Sequence, residues 1–121
     1  MKAYYAHHIW KYNTKIEDYE ISLIPFDVIN PKDCIDQTKS GKEIMQDCFD
    51  LISSCDVVVF SSLSGVVGKG VLEEIMYAFD NKKKVFYICG GKIIEVNKEE
   101  LRITKIKESK TKKIYAEIEV I

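Results

Sequence analysis

Residues 56–79 read DVVVFSSLSGVVGKGVLEEIMYAF, and a change of period partway along this stretch decides the fold. Residues 57–60 form a short β-branched run, the pattern of a strand buried on both faces of a parallel sheet. Ser61-Ser62-Leu63-Ser64-Gly65 follows as a small-residue turn, then a second loop carrying Gly68 and Gly70. Beyond Gly70 the spacing becomes helical. Leu72, Ile75, Met76 and Phe79 predict an amphipathic helix with one core-facing stripe. Strand, glycine-rich loop and helix in this order aim backbone N–H groups and the positive end of a helix dipole at the carboxyl edge of the sheet. Open α/β sheets bind ligands along that edge. Glu73 and Glu74 fall there, in the first turns of the helix.

Upstream, Ile44, Cys48, Leu51, Ile52 and Cys55 line one face of a helix predicted over residues 40–54, with Lys42, Glu43, Gln46 and Asp50 outward. Residues 1–6 predict a first strand. Asn13-Thr14 caps a short helix over residues 15–22, which Pro25 ends. Residues 26–29 predict a second strand and Asn30-Pro31-Lys32-Asp33 a turn at its end. Downstream, Lys82-Lys83-Lys84 marks a helix C-terminus, residues 85–88 another buried strand, Gly90-Gly91 a turn and residues 92–96 a further strand. Apolar residues then alternate with charges on both sides of Lys110-Thr111, a hairpin signature read as an edge extension or a contact between copies.

The β-α-β-α-β-α-β order with right-handed crossovers implies a parallel sheet with helices on both faces. The expectation is one α/β domain over residues 1–121, of flavodoxin- or Rossmann-like three-layer type. Residues 1–89 form its core and residues 92–121 a β-rich extension. Its carboxyl edge gathers residues 4–11, 30–33 and 61–74.

Composition narrows the function classes. Eighteen basic and 19 acidic residues leave a net charge of −1, which offers no global field for polymeric nucleic acid or an anionic membrane. No apolar run approaches the ~18–20 residues of a membrane span, and the first residues lack a signal-peptide core. A cytoplasmic protein is expected. The four cysteines show no CxxC spacing; Cys48 and Cys55, with apolar neighbours, read as buried thiols rather than metal ligands. Neither G-x-G-x-x-G nor a Walker lysine-serine pair occurs. No metal or cofactor is expected.

His7-His8-Ile9-Trp10-Lys11-Tyr12 follows the first strand directly. One reading is a surface loop with Trp10 partly in the core; the other is an aromatic and basic cover over a ligand, with His7, His8 or Lys11 near a phosphate or base. Lys69, between two glycines, is either a solvated lysine or a phosphate ligand. Asp56 either caps its strand or meets the ligand.

Four segments taken together resemble the nucleoside 2-deoxyribosyltransferase-like superfamily. Lys2-Ala3-Tyr4-Tyr5-Ala6 is similar to its opening strand, and Ile29-Asn30-Pro31 with Asp33 to its N-P loop. Residues 52–59 (ISSCDVVV) resemble its segment into the central strand. Residues 70–78 (GVLEEIMYA), followed by Lys84-Val85, resemble its glutamate-bearing helix. Coverage is about residues 1–89. His7-His8, Gly68 and Met76 depart from the family's usual residues, while Val71 is nearer to its nucleotide-hydrolase branch.

The resemblance implies cleavage of the N-glycosidic bond of a nucleoside or nucleoside monophosphate, by hydrolysis or base transfer, in a homodimer or larger homo-oligomer. It places Glu74 as the catalytic carboxylate, Tyr4 as the hydroxyl that orients it and Asp56 near the sugar or base. His7, His8, Lys11, Asp33, Ser62, Gly68, Lys69 and Gly70 are its candidate substrate contacts. Such chemistry asks for an ionised glutamate against a developing oxocarbenium ion, a form that a helix N-terminus and a tyrosine hydroxyl favour, and for a separate proton donor to the leaving base. Asp56, Asp33, His7 and His8 are the candidates for that donor. Two other readings stand beside it: cleavage of the nicotinamide bond of NAD, as by TIR-like domains, and a non-catalytic nucleotide-sensing module on the same scaffold.

Overall fold

A computed structural model describes residues 1–107 and 113–121. In chain order the elements are β1 (Lys2–Ala6), a 3-10 turn (Ile9–Lys11), α1 (Lys15–Leu23), β2 (Asp27–Ile29), α2 (Pro31–Cys34), α3 (Gly41–Ser54), β3 (Val57–Ser61), β4 (Val66–Gly68), α4 (Lys69–Asp80), β5 (Lys84–Cys89), β6 (Lys92–Val96), a second 3-10 turn (Lys98–Glu100), β7 (Leu101–Lys107) and β8 (Ile114–Val120). The main sheet runs β2-β1-β3-β5-β6; the first four strands are parallel and β6 is antiparallel to β5. The chain is therefore mixed α/β.

Central placement explains the apolar run of β3. Flanked by β1 and β5, it buries all five of its residues. Strand alternation then divides the core in two. Tyr4, Ala6, Val58, Phe60, Val85 and Tyr87 face α3 and α4, where Cys48, Ile52, Leu72, Ile75 and Ala78 meet them. Ala3, Tyr5, Val57, Val59 and Ile88 face the other way, toward Ile21 and Ile24 at the end of α1. α3 and α1 each carry a side-chain cap. Ser40 accepts a hydrogen bond from the Glu43 N–H ahead of α3, and Thr14 accepts one from Glu17 ahead of α1.

Several sequence expectations are corrected. The loop foreseen around Gly68 and Gly70 is instead β4 followed at once by α4, because residues 66–68 find a partner in β8. Residues 30–33 are the start of α2, with Pro31 in its first turn and Asn30 capping the Lys32 N–H at 3.0 Å. The terminal hairpin does not extend the main sheet. It forms a separate antiparallel sheet, β4-β8-β7, whose Val67, Ala116, Ile118 and Leu101 join the core on the α4 side. Residues 92–96 belong to the main sheet rather than to that extension. The Lys110-Thr111 turn lies outside the described residues.

A buried polar network pins the segment after β1. The Lys11 ammonium donates to Glu20 at 2.9 Å, to the Ser61 hydroxyl at 3.0 Å and to the Ser62 carbonyl at 2.8 Å, which uses all three of its protons. Tyr5 donates to the other Glu20 oxygen at 2.5 Å. Removing one partner of such a pair strands a charge away from water, at about 3–5 kcal/mol. Lys11→Met is therefore expected to lower unfolding free energy by at least about 3 kcal/mol. Asp56→Ala, at an exposed strand start, should cost under about 1 kcal/mol. Urea denaturation of both variants checks this, and equal losses would refute it.

Candidate active site

Tyr4 stands mid-strand in β1 on the face covered by α3 and α4, and its hydroxyl donates to the Glu74 carboxyl across the core. Glu74 is only 6% exposed. It is the sixth residue of α4, well past the first turn, so the helix's free N–H groups do not reach it. The expectation that the helix terminus keeps it ionised is corrected accordingly. Burial instead pushes its carboxyl up to about 7, against the lowering pull of the Tyr4 hydroxyl and the Cys48 thiol. Burial and the charge of Glu74 hold the Tyr4 phenol far above its ordinary range, so it remains a donor. Burial and the same charge push Cys48 up to about 11, which makes it an inert thiol.

This pair opens onto a cleft of about 290 Å³ at the carboxyl edge of the main sheet. Tyr4, Cys48 and Glu74 form its floor. His7, His8, Ile9 and Tyr12, from the segment after β1, line it together with Gly68, Lys69 and Gly70 from the β4–α4 junction. Pro31 and Gln37, with the apolar Ile44 and Met45 of α3, complete its wall. Gly68 gives the His8 ring room: a Cβ there would stand 3.3 Å from it, close enough that the ring would have to shift by a few tenths of an ångström. Among the lining residues Glu74 is the sole carboxylate.

Other expected site residues lie elsewhere. Asp56 sits at the opposite, amino edge of the sheet, where it accepts the Lys2 N–H at 2.8 Å; it caps the strand start. Lys11 is fully committed to Glu20, Ser61 and Ser62. Ser62 braces its own loop, exchanging a hydrogen bond with Tyr87 at 2.8 Å and accepting the Gly65 N–H at 3.0 Å. Asp33 is a solvated residue of α2, 68% exposed and 3.9 Å from Lys32. His7 touches the cleft, but its nitrogens are occupied: Nδ1 lies 2.9 Å from the Tyr5 carbonyl and Nε2 lies 2.7 Å from Glu17. Burial pulls its pKa down while both acceptors pull it up, and burial prevails. Glu73 pairs with Lys69 at 3.8 Å on the surface, as a dipole-compensating residue would.

Sequence reasoning placed Tyr12 in the aromatic cover after β1 but did not single out Gln37, Met45 or the approach of Cys48 to Glu74. These meet the cleft through tertiary packing, and only the position of Cys48 on the buried stripe of α3 hints at it. Among the described residues no group of three or more His, Cys, Asp or Glu could hold a metal ion, and no helix is long and apolar enough to cross a membrane. No family model, curated protein or solved structure matches the chain.

A buried carboxyl of this kind has a signature in stability. Unfolded, Glu74 titrates near its ordinary 4.5; folded, it titrates near 7. Below pH 4.5 both states hold the proton. Between the two values only the folded state does, so stability falls as pH rises, and above 7 the loss is complete. At ~1.4 kcal/mol per pH unit the loss is about 3 kcal/mol. Glu74→Gln should therefore gain about 3 kcal/mol on the native protein between pH 4.5 and pH 8. Denaturation across that range measures the gap, and a pH-independent difference would refute the assignment.

Proposed function

We propose that the chain cleaves the N-glycosidic bond of a nucleoside or nucleotide, with Glu74 as the carboxylate at the anomeric carbon and Tyr4 as the group that orients it. One observation carries this reading: a carboxyl held out of water, hydrogen-bonded by a strand tyrosine, at the floor of a cleft on the carboxyl edge of a mainly parallel sheet. The resemblance to nucleoside 2-deoxyribosyltransferase-like proteins supports it, since Tyr4 and Glu74 are the two residues it pairs. With β4 set aside in the second sheet, the strand order supports a flavodoxin-like reading of the fold, from which the antiparallel β6 departs.

In the reaction the C1′–N bond breaks and its electron pair departs with the base. Positive charge develops at the anomeric carbon and ring oxygen, and ionised Glu74 stabilises it or adds to it. Water, or a second base, then takes the sugar. With Asp56 and Asp33 remote, His8 is the cleft side chain suited to donate a hydrogen bond to the leaving base. Burial and the neighbouring Lys11 and Lys113 lower its pKa, so the ring is neutral where Glu74 is ionised; with Nδ1 accepting the Trp10 backbone N–H, its Nε2–H is left for the departing base, which takes its proton from water.

A second reading, a nucleotide-sensing module, draws on the same carboxyl. Near neutral pH Glu74 is about half protonated, a form that holds a ligand hydroxyl without attacking it.

Incubation with a panel of deoxynucleosides, their 5′-monophosphates and NAD, followed by chromatography of free base, tests the proposal. Base release from at least one member is expected, reduced at least about 100-fold in Glu74→Gln. The rate should rise with pH through about 7 as the carboxyl ionises. Tyr4→Phe, which removes a donor that holds the carboxyl down, should move that midpoint upward. Release that survives Glu74→Gln sinks the assignment, whereas tight binding without turnover selects the sensing module.

A further inference from the structure

His7 is buried between two groups that can only accept a hydrogen bond. Its Nδ1 lies 2.9 Å from the Tyr5 carbonyl and its Nε2 lies 2.7 Å from a Glu17 oxygen. A backbone carbonyl has no proton to give. Nor has Glu17. Against its burial, Lys32 at 2.8 Å, His7 itself, the Asn13 N–H at 3.1 Å and Asn30 at 3.5 Å hold its carboxyl down at about 2. A neutral imidazole carries one N–H and an imidazolium two. Both contacts together therefore require the charged ring. Burial works the other way and, against both acceptors, holds the His7 pKa below the ordinary 6.5. Once neutral, the ring can keep one contact. The ionised carboxylate is the stronger acceptor and retains the Nε2–H. Nδ1 then turns a lone pair toward the Tyr5 carbonyl, and two acceptors do not stay at 2.9 Å.

We propose that His7 and Glu17 form a proton-operated latch on the cleft wall: the doubly protonated ring ties the segment after β1 to both strand and helix, and loss of one proton releases it. Each end of the latch is firm. Tyr5 is held in the sheet opposite Val59, and Glu17 is held in α1 by its three other donors. The ring lies flat on Tyr5, 3.7 Å between centroids and 3° between planes, and tilts against Tyr12 at 4.9 Å. His8 and Ile9, which follow directly, line the cleft. Lys11 keeps its three hydrogen bonds, so release is confined to residues 7–10. The groups around the ring keep their charge between acid and neutral pH. Glu17 stays ionised and raises Lys32, Glu20 is tied to Lys11 and Tyr5, and burial holds the Tyr5 and Tyr12 phenols above their ordinary range. Only the adjacent His8, and Glu74 elsewhere in the cleft, titrate nearby. As pH rises the latch opens before Glu74 ionises at about 7, so the wall is free when the carboxylate is charged. The latch works in the same way whatever ligand the cleft takes.

The chain has two histidines and one tryptophan, which makes the test direct. In the full chain carrying His8→Gln and Glu74→Gln, His7 is the one imidazole, and the two other cleft groups that titrate in this range are gone. Long-range proton–nitrogen NMR between about pH 4 and about pH 8 then reads both ring nitrogens. Both should be protonated in acid; as pH rises Nδ1 should lose its proton while Nε2 keeps its own. Trp10 emission should shift with the same midpoint, because Trp10 stands on the released segment. Adding Glu17→Gln supplies an amide that donates to Nε2, so a neutral ring with its proton on Nδ1 satisfies both contacts. The Trp10 transition should then vanish. A ring with one proton throughout, or a ring that titrates while Trp10 emission stays flat, overturns the latch, as does a transition that Glu17→Gln leaves intact. Should Glu17→Gln fail to fold, the midpoints decide: coincidence of the NMR and fluorescence curves supports the latch and separation refutes it. No ligand is added, so the result is independent of whether the chain releases base.

Discussion

The hydrogen bond from Tyr4 to Glu74 is the constraint around which the site is arranged. Taking a carboxyl out of water is costly, and the molecule does it at two very different levels of compensation. Glu17, 1% exposed, is raised by burial but then over-supplied with donors: Lys32 at 2.8 Å, His7 at 2.7 Å, the Asn13 N–H at 3.1 Å and Asn30 at 3.5 Å. The donors win, and its carboxyl falls to about 2. Glu74 has one hydroxyl and a thiol, no cation, and rises to about 7. The first arrangement suits a permanent structural anion. The second leaves a group whose charge state is poised, and poised groups in clefts are where chemistry is done.

Strand parity makes that difference possible. Tyr4 and Tyr5 are neighbours in sequence and point to opposite faces of β1. Each finds a buried carboxylate, Glu74 on one side and Glu20 on the other. Glu20 also receives the Lys11 ammonium, so its charge is answered. Lys11 is thereby drawn away from the cleft and becomes a tie between the segment after β1, α1 and the end of β3. The same tie keeps the 3-10 turn in place and lets His8 and Trp10 project beyond it.

Much of this was legible in the sequence where the signal was local. The β-branched run of β3, the helical stripes of α3 and α4 and the cap at Thr14 all follow from spacing and residue type, and the structure contains each. Glu74 beside Tyr4 was legible through motif resemblance and not through periodicity, because 70 residues separate them. Where long-range pairing decided, the reading went astray. Asp56 looked like a ligand because the family resemblance set it near the sugar or base, yet parallel register sets it beside Lys2 at the far edge. The residues 66–68 looked like loop, being short and glycine-flanked, until β8 supplied their hydrogen bonds. Lys11 looked free because nothing near it in sequence reveals Glu20 as a buried partner.

That last class of error bears on how the terminal hairpin should be understood. As an appendage it would be dispensable to the site. Its register says otherwise: β8 pairs Tyr115 with Gly68 and Ala116 with Val67. Gly68 is the residue whose missing side chain admits His8, and it immediately precedes Lys69 and the helix that carries Glu74. The hairpin thus holds the β4–α4 junction at its distance from the segment after β1. A slip of one residue in this pairing would turn Val67 out of the core and displace the cleft wall that Gly68 forms. The width of the cleft is therefore set jointly by the parallel sheet, which fixes Tyr4, and by the small antiparallel sheet, which fixes the start of α4. Glu74 lies where the two meet.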